Sequence, residues 1–93
     1  MPLVDKSFVI RGRVQGVGFR WWTRQTASAL GVVGAVENLP DGTVRVVARA
    51  ESETLSRFAD KLRRGPPLAR VESVEEASVE LPSGLGSFTI DHS

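Results

Sequence analysis

Two glycines and an arginine, at positions 16, 18 and 20, form the part of the sequence best suited to chemistry. Glycine has no Cβ atom, so a loop containing Gly16 and Gly18 lets a ligand come close to the backbone. A loop that enters a helix also presents unpaired N–H groups at the positive end of the helix dipole, where anions such as phosphate bind. Arg20 adds a planar guanidinium that can donate to two phosphate oxygens at once. This pattern predicts a phosphate-binding pocket between a strand and a helix.

Asn38, just before a predicted turn at residues 39–42, is the second candidate. Its side-chain amide both donates and accepts hydrogen bonds, which suits holding a water in line with a bound phosphate. Arg20 and Asn38 together would make a minimal site for phosphoryl transfer to water, a reaction that depends mainly on positioning and charge stabilisation. Read alone, each has a simpler interpretation: Asn38 as a turn residue bonded to its own backbone, and Arg20 as a surface ion-pair residue.

Composition excludes several function classes. The 93 residues predict a single domain over 1–93, and the net charge of +1 does not indicate a nucleic-acid partner. The absence of cysteine excludes thiolate chemistry and suits a reducing cytoplasm, while the lone histidine, His92, is expected to be a tail residue rather than a metal ligand. Without an apolar leader or a long apolar run, neither a signal peptide nor a membrane segment is expected. We therefore expect a cytoplasmic monomer with no metal, cofactor, membrane or nucleic-acid partner.

Hydrophobic periodicity predicts the elements that must position the candidate residues. In order they are a strand at 7–14, a helix at 19–30, a hairpin of strands at 32–39 and 43–50, a helix at 53–64, a strand at 70–81 and a short strand at 87–91. Gly31 is expected to end the first helix and Ser52 to cap the second. The apolar residues of the fourth strand change parity, which predicts a bulge or an irregular start.

This order, β-α-β-β-α-β with a short fifth strand, predicts an α+β protein with the ferredoxin-like α/β sandwich. The sheet should be mainly antiparallel, with both helices on one face. Trp22 should pack in the core, whereas Trp21 projects the other way and is interpreted as a surface aromatic or as the rim of a substrate site. Arginines on the opposite sheet face should be solvated and paired with acids, and the alternative is that they steer an anionic substrate; they are Arg11, Arg13, Arg45 and Arg49.

Three stretches, GRVQGVGFR (12–20), GAVENLPDGTV (34–44) and GPPLARV (65–71), resemble the acylphosphatase family in order and spacing. The resemblance implies metal-independent hydrolysis of the carboxyl–phosphate bond of a small acylphosphate. It implies that Arg20 binds the phosphoryl group and that Asn38 orients the attacking water. It also implies a phosphate loop whose backbone amides complete the site, formed by Gln15, Gly16, Val17, Gly18 and Phe19.

The chain departs from the family pattern at Ala35, where an aromatic is common, and at residues 51–52, where Gly-Pro is common. These departures concern packing and the substrate rim. Three alternatives remain: a non-catalytic anion-binding module, an accessory domain like that of hydrogenase-maturation proteins, and an RNA-binding module. RNA binding is disfavoured because the outward positions of the first and third strands carry no aromatic side chain for base stacking. Those positions are Val9, Arg11, Arg13, Arg45, Val47 and Arg49.

Overall fold

The computed structural model describes residues 2–91, so the interpretation of His92 lies outside the described residues. The chain forms β1 (Leu3–Arg13), α1 (Phe19–Leu30), β2 (Val33–Asn38), β3 (Val44–Glu51), α2 (Ser52–Arg64), β4 (Arg70–Ser78) and β5 (Phe88–Asp91). No helix within residues 2–91 is long and apolar enough to cross a membrane.

The five strands form one sheet in the order β4-β1-β3-β2-β5. Neighbouring strands are antiparallel except β2 and β5, which run parallel. Helix α1 packs against β2 and β5, α2 packs against β1, β3 and β4, and the helices touch each other. The predicted ferredoxin-like α+β fold is confirmed.

The core lies between the helices and alternate residues of the central strands. Strand β3 buries Val44, Val46, Ala48 and Ala50, as its alternation predicted. Phe58 of α2 stands at the centre, where its ring meets two strand phenylalanines edge-on. The ring centroids of Phe58 lie 6.0 Å from Phe8 and 6.1 Å from Phe88. This packing joins α2 to β1 and to the edge strand β5.

The prediction that Ser52 caps α2 is wrong. Ser52 is the first helical residue, and the N-cap is Glu51, with φ −63° and ψ 150° and no side-chain capping bond. The reason is that β3 continues through Glu51, which pairs with Leu3. The strand therefore passes directly into the helix, and no separate loop residue remains to act as a cap.

Strands β1 and β4 differ in length from the predictions, although the predicted bulge is present. Strand β1 begins four residues early because its first half pairs with β3, and β4 ends at Ser78. The β1–β4 register shifts between Arg11, opposite Ser73, and Gly12, opposite Val71. Glu72 is the extra residue, so the bulge lies near the start of β4, beside the end of β1.

Candidate active site

The loop between β1 and α1 has free backbone donors. Gly16 and Gly18 have φ of 75° and 78°, and Gly18 is the N-cap of α1 without any side-chain cap. The first N–H bonded in the helix is that of Trp22, which donates to Gly18 O at 3.0 Å. The N–H groups of residues 16–21 donate to no other residue in the described part of the chain. They form a concave set of donors at a helix N-terminus, which suits an anion.

Glycine is required at positions 16 and 18 by the positive φ of the backbone, and not because neighbouring protein atoms leave no room for a side chain. A Cβ atom built on Gly16 or Gly18 meets no protein atom within 4 Å. Their positive φ is nevertheless a region that side-chain-bearing residues enter at a cost of about 1–2 kcal/mol each. An added methyl group would also project into the open space in front of the loop.

This loop forms one wall of a cavity of about 290 Å³. The cavity brings together Arg20 and Asn38, as the sequence predicted, but the side chains of Gln15 and Val17 do not line it. Its lining residues are Val14, Gly16, Gly18, Phe19, Arg20, Trp21, Asn38 and Ile90. They come from the loop between β1 and α1, from α1, and from β2 and β5, so the cavity exists only when the sheet is assembled.

Arg20 supplies the positive charge of the cavity. It is the second residue of α1 and is partly buried. Its guanidinium makes neither a hydrogen bond nor an ion pair with any other residue between 2 and 91. The simpler interpretation as a surface ion-pair residue is therefore wrong. All its donors remain available to an anion.

Asn38 ends β2, where it pairs with Val44 of β3. Its side-chain oxygen Oδ1 is buried and accepts no hydrogen bond from the described residues. Buried polar atoms in proteins are nearly always bonded, so a free acceptor in a cavity wall points to a ligand or a water. The interpretation of Asn38 as a turn residue bonded to its own backbone does not hold for this oxygen.

Gln15 has a role that the sequence did not predict. Its side-chain Nε2 donates to Leu39 O at 2.8 Å and to Thr43 O at 2.9 Å. The loop is thereby bonded to the turn that follows Asn38. No local pattern could have revealed this contact, because it joins residues 24 and 28 positions apart.

A family model described as Acylphosphatase matches residues 6–90. The chain belongs to the acylphosphatase family. A relative from Thermus thermophilus named Acylphosphatase is 52% identical over 88% of this chain and 92% of its own length. Another from Mannheimia succiniciproducens is 40% identical over 97% of this chain and 100% of its own length. The crystal structure of acylphosphatase from Bacillus subtilis is similar with a TM-score of 0.90 and 28% identity, covering 98% of this chain and all of that one.

Family membership confirms the predicted enzyme class, a hydrolase of acylphosphates, and does not favour a non-catalytic anion- or RNA-binding module. As the helical periodicity predicted, Trp22 packs against the core, and its ring centroid lies 5.4 Å from that of Phe19. Trp21 is 59% exposed, yet it lines the cavity. Trp21 is therefore a rim residue in position, as one of its two interpretations proposed.

The turn after Asn38 in this acylphosphatase family member is held by its own side chains. Asp41 Oδ1 accepts the Thr43 hydroxyl at 2.6 Å and the Thr43 N–H at 3.0 Å. These hydrogen bonds lower the pKa of Asp41 below its usual 3.8 because they favour the charged carboxylate. The turn is thus ordered while Asp41 is ionised, which includes neutral pH.

The arginines on the open sheet face are mostly paired with acids, as predicted. Arg11 lies 3.1 Å from Glu75, Arg45 lies 3.8 Å from Glu37, and Arg49 lies 2.7 Å from Asp5. Such pairs reduce the field that this face could present to an anionic substrate. Among residues 2–91, no group of three or more acidic, histidine or cysteine side chains is placed to hold a metal ion.

Proposed function

We propose that the protein hydrolyses acylphosphates by direct attack of a water, positioned by Asn38, on a phosphoryl group held by Arg20 and the phosphate loop. One observation carries this proposal. The free, buried acceptor of Asn38 and the unpaired guanidinium of Arg20 line the same cavity. A cavity with one unpaired cation and one unpaired neutral acceptor suits an anion with a water beside it.

The phosphoryl group would be bound by its three non-bridging oxygens. The backbone amides of the loop donate to them, and Arg20 adds its forked donors and its charge. The loop residues proposed to supply these amides are Gln15, Gly16, Val17, Gly18 and Phe19. Free N–H groups at residues 16–21 support this arrangement. Because these donors are fixed before substrate arrives, they stabilise charge in the transition state without reorganising.

The attacking water would donate one hydrogen to Asn38 Oδ1, which directs a lone pair of the water towards phosphorus. A new phosphorus–oxygen bond forms, and the bond from phosphorus to the acyl oxygen breaks. The products are a carboxylate and inorganic phosphate. A carboxylate is a stable leaving group, since carboxylic acids have a pKa of about 4. Leaving-group protonation is therefore not required, and the charge on Arg20 and the loop dipoles replaces that of a metal ion.

The acyl group would lie against the apolar part of the cavity. Trp21 and Ile90 form this part, and Trp21 is open to solvent. An indole face accommodates flat or branched apolar groups without hydrogen-bond demands. The substrate is thus a small-molecule acylphosphate whose phosphate is recognised closely and whose acyl part is recognised loosely.

The proposal includes a monomer in the cytoplasm. All the residues around the cavity come from one chain, so a second copy is not needed to complete it. A chain without cysteine is suited to a reducing compartment. Light scattering at assay concentration tests the monomer, and fractionation of cells tests the compartment.

The deciding assay follows loss of benzoyl phosphate in the presence of EDTA. We expect full activity of the unmodified protein in EDTA. Arg20→Ala should lose both substrate affinity and rate, and Asn38→Ala mainly rate, by on the order of 10²–10³. Arg24→Ala is the matched control, because Arg24 is on the same helix but does not line the cavity. Unchanged activity in the Arg20 or Asn38 variant would remove the assigned roles, and inactivation by EDTA would remove the metal-independent mechanism.

A further inference from the structure

We infer that the side chain of Gln15 is a positioning residue for hydrolysis, which sets the location of Asn38 relative to the phosphate loop. This inference rests on the proposed function, in which Asn38 directs water at a loop-bound phosphoryl group. It concerns the Gln15 side chain, whereas the proposed function uses only the Gln15 backbone. The role is separate because Gln15 Nε2 points to the turn after Asn38.

Sheet pairing alone does not hold the two halves of the site together. Strands β1 and β2 are not neighbours, because β3 lies between them. The β1–β3 register ends at Ile10 opposite Val44, and the β2–β3 register ends at Asn38 opposite the same Val44. Ile10 is therefore level with Asn38. The phosphate loop begins at Gln15, five residues further on, beyond the last pair between β1 and β3.

The Gln15 amide makes the missing connection. One nitrogen supplies both of its hydrogens, to the carbonyls of Leu39 and Thr43. Leu39 O also accepts the N–H of Gly42 at 3.1 Å, and Thr43 O also accepts the N–H of Leu39 at 2.9 Å. Gln15 thus bonds the two carbonyls that close the hairpin turn, directly after Asn38. A two-point bond fixes the orientation of the turn as well as its distance from the loop.

A purely stabilising role makes a different prediction from a positioning role. If Gln15 only stabilised the turn, its loss would lower the free energy of unfolding and leave kcat of the folded enzyme unchanged. If Gln15 positions Asn38, removal of its side-chain amide must lower kcat. KM should change little, because phosphate binding by Arg20 and the loop amides is retained. A misplacement of about 1 Å in such a site costs on the order of 10²-fold in rate.

The experiment uses Gln15→Met and Gln15→Glu, assayed with benzoyl phosphate well below the melting temperature of each variant. Methionine has a similar length and no donor. We expect kcat to fall roughly 10–100-fold in Gln15→Met, with KM within about threefold of the unmodified protein. Gln25→Met is the matched control, because Gln25 is exposed on α1 and its side chain makes no hydrogen bond with any residue between 2 and 91. It should leave both constants unchanged.

Gln15→Glu provides a second readout that packing alone would not move. An ionised carboxylate donates no hydrogen bond and faces two carbonyl oxygens, whereas the protonated acid donates one. Its activity relative to the unmodified protein should therefore rise as pH falls from neutrality towards the ordinary glutamate pKa of about 4.3. This pH comparison needs only Gln15→Glu and the unmodified protein, so it holds even if Gln15→Met does not fold.

Two results would overturn the inference: an unchanged kcat in folded Gln15→Met, or a pH-independent activity ratio for Gln15→Glu. The proposed function would survive either result, provided that Asn38→Ala still lowered the rate of benzoyl phosphate hydrolysis. Failure of the proposed function appears differently. In that case, the unmodified protein would not hydrolyse acylphosphates, or Asn38→Ala would be fully active.

Discussion

Asp5 and Arg49 lie opposite each other on β1 and β3 and form a two-point ion pair, with Nε 2.7 Å from Oδ1 and Nη2 2.9 Å from Oδ2. The same pair bonds the segment that follows β4. Asp5 accepts the N–H of Leu81, and Arg49 donates to the carbonyls of Leu81 and Pro82. One ion pair therefore attaches a long connection to the open face of the sheet.

This ion pair makes the free energy of unfolding depend on pH in the acid range. The hydrogen bonds from Arg49 and then from the Leu81 N–H hold the pKa of Asp5 below its usual 3.8. Stability from the charged Asp5 is thus fully present above about pH 3.8 and is lost as pH falls from there through the lower folded pKa. We expect Asp5→Asn to melt below the unmodified protein at neutral pH and the difference to shrink across that acid range. Thermal melts measured at a series of pH values check this.

The control for Asp5→Asn is Glu76→Gln, which breaks the Lys6–Glu76 pair at 2.8 Å. That pair is more exposed, with side chains 32% and 36% accessible, so its loss should change the melting temperature little. The difference in melting temperature between Asp5→Asn and the unmodified protein should not persist unchanged to strongly acid pH. If it did, it would contradict the role assigned to Asp5.

Asn38 should contribute to the rate of hydrolysis more than to stability. Its side-chain oxygen accepts no hydrogen bond from the described residues, so truncation breaks no bond to this oxygen within that part of the chain. We expect Asn38→Ala to have a free energy of unfolding close to that of the unmodified protein, although its rate of hydrolysis falls. Urea unfolding measures this. A decrease of several kcal/mol would instead make Asn38 a structural residue.

Gly34 lies where β2 and β3 come very close. A Cβ atom at Gly34, whose φ is 146°, would lie 1.9 Å from Val47 O and 2.9 Å from Val47 C. Gly34→Ala must therefore separate the two strands, and Asn38 moves with β2. We expect it to lower both the free energy of unfolding and the activity of the protein that remains folded. Urea unfolding and the benzoyl phosphate assay measure the two effects.

Gly31→Ala is the matched control for Gly34→Ala. Gly31 has φ of 76° at the end of α1, and an added Cβ meets nothing within 4 Å. Gly31→Ala should lower the free energy of unfolding by the conformational strain alone, about 1–2 kcal/mol, and leave kcat unchanged. Equal effects of the two substitutions on activity would show that strand separation at Gly34 does not reach the site.

Trp21 should influence the choice of acyl group. Contact of an aromatic acyl group with the indole adds about 0.5–1.5 kcal/mol, so Trp21→Ala should raise KM for benzoyl phosphate roughly 2–10-fold. KM for acetyl phosphate, which has only a methyl group, should change little. Leu68→Ala is the control, because Leu68 is 76% exposed and does not line the cavity. An equal rise with both substrates would contradict a role for Trp21 in acyl-group binding.

Local signals predicted much of the fold. Helix α1 begins at Phe19 and ends at Leu30 as predicted, because glycines with positive φ bound it on both sides. The hairpin of β2 and β3 was predicted from the Pro-Asp-Gly turn and from the regular alternation of apolar and polar residues on either side of it. The prediction failed at Ser52, a residue with good capping chemistry, since pairing of β3 with the start of β1 extends the strand to Glu51. Tertiary pairing there overrides the local preference.

The candidate site was predicted in part. The sequence indicated Arg20 and Asn38, and they line one cavity. It could not indicate that Ile90 completes the wall, or that the Gln15 side chain bonds across to the turn after Asn38. Both facts depend on the order of strands in the sheet and on where each register ends, which the pattern of a single strand does not contain.

The parallel pairing of β5 with β2 has a consequence for folding kinetics. Ile90 joins the cavity wall 70 residues after Arg20, so the site is built from contacts that are distant along the chain. Such contacts form only after the chain between them has lost much of its conformational entropy, so they form late in folding. Recovery of acylphosphate hydrolysis during refolding should therefore coincide with the final docking of the edge strand, and catalysis would report completion of the native state more faithfully than helix content does.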